Sequence, residues 1–91
     1  MTDIALKDED GRLKAQLDGE TLFIRYGWAS DGVMRVDHVE VPAALGGRGL
    51  GTALVGALVE KARAEGFKLL PVCGFARHQL QKHADWQDVL A

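Results

Sequence analysis

The stretch "GGRGLGTALVGALVEKARAEGF", residues 46–67, decides how the rest of the chain is read. Gly46, Gly47, Gly49 and Gly51 fall within six residues of one another. Glycine loses more conformational freedom on ordering than any other residue, so such a cluster needs a reason. From Leu50 the period becomes helical. Leu50, Ala53, Leu54, Ala57, Leu58 and Ala62 share one broad face, and Thr52, Gly56, Glu60 and Arg63 form a narrow polar stripe. Glu60–Arg63 and Lys61–Glu65 have the spacing of pairs across one turn. Gly66 stands where a helix C-cap belongs. A glycine-rich loop entering a helix turns unpaired N–H groups, and the positive end of the helix dipole, toward one point. That is an anion site, and Arg48 adds a guanidinium that can pair with phosphate through two hydrogen bonds. The expected occupant is a phosphate group, with a diphosphate the best match.

Upstream of the loop the period is two. "DIALKD" alternates, "EDG" at 9–11 signals a turn, and "RLKAQLD" places Leu13, Ala15 and Leu17 on one face. Asp18-Gly19 is a second hairpin signal. "ETLFIRYGWA" is rich in aromatic and β-branched residues, "ASDG" at 29–32 is another turn, and "VMRVDHVEV" is a fourth strand stopped by Pro42. After the helix, "FKLLPVC" reads as a fifth strand made irregular or edge-like by Pro71, and "FARHQLQKHADW" as a second helix. The order β-β-β-β-α-β-α predicts an α+β fold: an antiparallel meander, then a helix, a splayed strand and a C-terminal helix, with the helices packed on one mixed sheet. Residues 1–91 are read as a single domain.

Composition narrows the function. The formal charge is −2, with 47% hydrophobic and 26% charged residues, so no broad basic field for nucleic acid is expected. The single cysteine, Cys73, allows no internal disulfide and suggests a reducing, cytoplasmic setting. The N-terminal residues lack a basic start and a long apolar run, so no signal peptide is expected. The long helix carries too many charges to span a membrane. Cys73, His78 and His83 are poorly spaced for a metal, and none is expected.

Three phosphate-binding patterns compete for the loop. A nucleotide-hydrolase loop needs a Lys after its second glycine, and none follows Gly51. A dinucleotide fingerprint has different glycine spacing and follows a parallel strand. The third is the acyl-CoA loop of the general N-acetyltransferases, the GNAT superfamily, with the pattern [Q/R]-x-x-G-x-[G/A]. Gly49-Leu50-Gly51 matches its G-x-G core, "GTALVGALVEKARAEGF" resembles its helix, and "HVEVP" resembles the strand before it. The resemblance covers nearly the whole chain. More narrowly, "HVEVPAALGGRGLGTALV", "LLPVCGF" and "KHADW" are similar to a group of small GNAT-like proteins of this length. In that group the later segments run approximately P-L-C-P-F and R-H-P-E-[YW]. Departures fall at Gly46, where the family has Arg or Gln, and at Gly74 and Ala84, where the group has proline.

The resemblance implies an acetyl-CoA-dependent acyltransferase that moves acetyl to a primary amine by direct attack in a ternary complex. It implies that the fourth and fifth strands part at their ends. Backbone near Val39, Glu40 and Val41 would then pair with the pantetheine arm, and Gly46, Gly47, Arg48, Gly49, Leu50, Gly51 and Thr52 would receive the diphosphate. The thioester would point between His38 and Cys73. His38 is the candidate general base, because imidazole titrates near neutrality, and Glu40 is the alternative acid or base. By alternation His38 should share a face with Val36 and Glu40, opposite Val39 and Val41. Cys73 reads as a small buried residue, a pocket-lining thiol or, less favourably, an acyl-accepting nucleophile. Trp28 and Trp86 read as packing anchors, Trp86 fastening the C-terminal segment together with Val89 and Leu90. The expected partners are a CoA thioester and an acceptor amine on a small molecule or a protein, with no nucleic acid and no membrane. The chain would be a monomer or a weak homodimer. A CoA- or acyl-CoA-binding module without turnover is the alternative.

Overall fold

The structure, a computed structural model, describes residues 4–91. The strands are β1 (Lys7–Glu9), β2 (Arg12–Leu17), β3 (Glu20–Ser30), β4 (Val33–Glu40) and β5 (Lys68–Pro71). They form one sheet in chain order, antiparallel except for the parallel β4–β5 pair. Helix α1 spans Leu50–Glu65 and α2 spans Gly74–Lys82. Short 3-10 turns cover Ala43–Leu45 and Ala84–Val89.

Local chemistry sets the meander. Glu9 pairs with Arg12 and Leu17 with Glu20, so Asp10-Gly11 and Asp18-Gly19 are two-residue hairpin loops. Both residues of each loop have positive φ, +51° and +80° in one and +51° and +79° in the other. That geometry matches the twist of the strands it joins. The predicted first strand is shorter than "DIALKD" suggests. Ile4 and Leu6 precede β1 and pack against the core without strand pairing, and Asp3 lies outside the described residues.

Leu13, Leu22, Ile24, Met34, Val36 and Leu69 line one sheet face and meet Leu54, Leu58 and Val59 of α1 and Leu80 of α2 in a single core. Val55 and Val59 join the buried side of α1, while Ala53 and Ala57 are half-covered. The buried face is therefore rotated from the one predicted. The polar stripe is partly covered as well: Thr52 Oγ1 lies 3.0 Å from Gln79 Oε1, and Gly56 lies under the Trp86 ring. Glu60–Arg63 and Lys61–Glu65 pair at 3.0 and 2.6 Å as expected. Gly66 ends α1 with φ +78°, and the N–H groups of Gly66 and Phe67 both donate to the Ala62 carbonyl.

Two further predictions need correction. The second helix does not run from 75 to 86. It ends at Lys82, and His83 turns extended, its ring stacked on Trp86 at 3.9 Å. The face assignment on β4 holds for His38 and Glu40, opposite Val39 and Val41, but fails for Val36. Arg25 pairs with His38, but Tyr26 pairs with Val36, so Asp37 is an extra residue bulging from the strand. The bulge resets the alternation. Val36 and Val39 both face the core, and His38 and Glu40 lie on the opposite, outer face.

Candidate active site

The site is built where β4 leaves β5. Parallel pairing ends at Val36–Pro71. The N–H groups of Val72 and Cys73 both donate to the Val36 carbonyl, at 2.9 and 3.0 Å, and the chain then turns into α2. Beyond that point His38, Val39 and Glu40 pair with β3 alone among the described residues. β4 therefore presents a free backbone edge, and the seam is open.

The loop that follows carries the chain to α1. Gly47 and Gly49 have φ of +78° and +69°, which L side chains rarely adopt. Gly49 is the N-cap of α1; no side chain caps it and no acid stands in the first turn. Among the described residues, the N–H groups of Leu50, Gly51 and Thr52 meet no acceptor, and the first bond of the helix is Ala53 N–H to Gly49 C=O at 3.1 Å. A Cβ built on Gly47 or Gly49 would meet nothing within 4 Å, so the space over these amides is open.

These parts surround a cleft of about 420 Å³. Val39, Val41, Pro42, Ala43 and Leu45 line one side, and Gly46, Gly47, Gly49, Leu50, Gly51 and Thr52 the other. Phe75 of α2 completes it. Sequence reasoning missed Phe75, which is 42% exposed although aromatic. Only the folded chain reveals the contact: a Cβ on Gly51 would fall 2.7 Å from Phe75 Cζ. That glycine makes room for a ring as well as freeing an amide.

Other expected site residues lie outside the cleft lining. Arg48 NH1 pairs with Asp18 Oδ2 at 2.7 Å, tying the loop to the β2–β3 hairpin. His38 Nε2 lies 2.8 Å from Glu40 Oε1 on the outer sheet face, with the Phe23 ring 6.1 Å away. Cys73 is half-buried at the N-cap of α2, at the root of the open seam and packed against the core. Among the described residues, no group of three or more His, Cys, Asp or Glu side chains could hold a metal ion. No described helix is long and apolar enough to cross a membrane.

Trp86 does anchor the C-terminal segment. It lies against α1 at Gly56, Val89 is buried, and Leu90 bridges Leu69 on the edge of β5. Arg63 fixes the same segment through both carboxylate oxygens of Asp88, at 2.9 and 2.7 Å.

Comparison with known proteins agrees with this architecture. The family of GCN5-related N-acetyltransferases matches residues 12–89. An NMR solution structure of a GCN5-like protein from Staphylococcus aureus superposes with a TM-score of 0.76 at 31% identity. The alignment covers 100% of this chain and 91% of that one. None of the curated proteins matches the chain. A splayed β4–β5 seam, an uncapped helix start beside it and a family match across both therefore converge on one assignment: the chain belongs to the GCN5-related N-acetyltransferase family.

Proposed function

We propose that the chain is an acetyl-CoA-dependent N-acetyltransferase whose cleft holds the thioester co-substrate. The observation that carries this reading is the continuity of the cleft with the free edge of β4. One end offers uncapped amides for a diphosphate, and the other offers strand backbone for an extended amide-bearing arm. The fit is chemical as well as spatial. No carboxylate stands in the first turn of α1 to repel phosphate, and left-handed Gly47 and Gly49 leave the approach clear. Arg48 reaches a phosphate in this reading by exchanging its exposed pair with Asp18, a contact worth about 0–1 kcal/mol at most.

The thioester supplies an acyl carbon open to attack by an amine. In the transfer a C–N bond forms, the C–S bond breaks, the amine loses a proton and the departing thiolate gains one. His38 is the chain's candidate for taking the amine proton, with Glu40 holding the imidazole from the other side. Backbone N–H groups along the β4 edge are the candidates for polarising the acyl oxygen. Cys73 serves as a wall beside the seam. Positioning provides the remainder of the acceleration.

The second reading, a CoA-binding module without turnover, is favoured by one observation: neither His38 nor Cys73 lines the cleft. Titration calorimetry with CoA, dephospho-CoA, ATP and NAD, followed by thiol release from acetyl-CoA over an amine panel, separates the two. CoA binding with thiol release supports the transferase. CoA binding without release from any acceptor supports the module, and no CoA binding removes both.

A further inference from the structure

The outer face of the sheet carries two arginines and a histidine in one row across three strands. Arg12, Arg25 and His38 face one another in register across β2, β3 and β4. Like charges directly opposite on one sheet face weaken the pairing. The Arg12 guanidinium lies over the Phe23 ring at 5.2 Å, and that ring is the same one that neighbours His38. Arg25 is exposed and makes no side-chain hydrogen bond or ion pair among the described residues. Asp37 is within its electrostatic reach but is already taken by Arg35 through both carboxylate oxygens, at 2.6 and 3.1 Å. Glu9 stands opposite Arg12 in β1, but its carboxylate pairs with Lys14 and Lys7 at 3.6 and 3.7 Å, and Glu40 pairs with His38 at 2.8 Å. Among the described residues the Arg12 and Arg25 guanidiniums therefore have no carboxylate partner and are left for a group outside the fold. Both helices pack on the other face of the sheet, so this face is flat and has no walls to enclose a small molecule.

We propose that this row docks the acceptor as an extended acidic peptide segment, its carboxylates on Arg12 and Arg25 and its lysine amine at His38. The fate of the amine rests on the transferase reading; the docking does not. The chain's overall charge of −2 makes the local excess of cations selective, because an acidic segment is repelled elsewhere and drawn here.

The test compares three synthetic peptides with one central lysine, flanked by glutamate, by glutamine or by phosphoserine. Calorimetry should show the glutamate peptide binding more tightly than the glutamine peptide, with the difference erased at high salt. Arg12→Gln and Arg25→Gln should each weaken the glutamate peptide by about fivefold, the upper range of an exposed charge pair. Equal binding of the glutamate and glutamine peptides by the wild-type chain at low salt overturns the docking. A phosphoserine peptide that binds far more tightly than the glutamate one overturns the carboxylate assignment. Free glutamate competing as well as the peptide overturns the extended acceptor. Selective binding of the glutamate peptide without acetylation of any amine supports the docking and sinks the transferase reading alone.

Discussion

The ring of Phe75 occupies the place where a side chain on Gly51 would begin: a Cβ there would stand 2.7 Å from Cζ and 3.1 Å from Cε2. Two residues from separate helices thereby share one wall of the cleft. Gly51→Ala must push the ring aside. Alanine gains about 1 kcal/mol in helix propensity over glycine, and the ring is half-exposed and can swing, so the domain stays folded. CoA affinity should fall by about 1.4 kcal/mol, a factor of ten. Thermal melting and calorimetry measured together check this. Unchanged affinity would show that Phe75 does not shape the bound state.

His38→Ala should slow acetyl transfer by about a hundredfold or more, the usual range for a general base. The pH–rate profile should change shape with the loss of the base, and CoA affinity should stay as it was. A variant with an unaltered pH–rate profile removes His38 from proton transfer and leaves Glu40 as the candidate.

Tyr26 predicts an alkaline limit to stability. Its phenol is pushed up to about 12, chiefly by burial and then by the hydrogen bond it donates to Asp8 and by that residue's negative charge. The folded state therefore favours the neutral phenol. The contribution is intact below the ordinary tyrosine value of about 10 and is lost as the pH rises from there through the folded value. Urea unfolding across that window should show stability falling in the wild type. The fall should be shallower in Tyr26→Phe, and identical slopes would contradict the assignment.

Asp88 gives the acid counterpart. Hydrogen bonds from Arg63 hold its carboxyl below the usual carboxylate range. A depressed folded value means that the stabilisation is present above the unfolded value and disappears as pH falls through the folded one. Asp88→Asn should therefore lower the unfolding midpoint near neutrality and match the wild type in strong acid. A deficit that persists in strong acid would mean that the asparagine disturbs packing rather than charge.

The features legible in the sequence were those written locally. Asp-Gly pairs specify two-residue hairpins, the shift of period at Leu50 marks α1, and Gly66 marks its end, because each signal acts within a few residues of itself. The bulge at Asp37 is not local. It exists because β3 and β4 exchange partners out of step, so alternation along β4 by itself put Val36 on the wrong face. The break after Lys82 depends on His83 stacking on Trp86, a contact created only when the segment folds back. In the candidate site, the glycine loop was legible because φ is a property of single residues. Phe75 and the Arg48–Asp18 pair were not, since each joins elements distant in the chain.

The parting of β4 from β5 has a further consequence. A strand margin with vacant donors and acceptors is also a template on which a second polypeptide can assemble. β1 is short and charged, and the outer border of β5 is covered at Leu69 by Leu90, so the exposed margin past Val36 is where such self-association would begin. A small molecule lodged there would act as a stopper, and keeping this protein in solution at high concentration becomes a matter of keeping that margin filled.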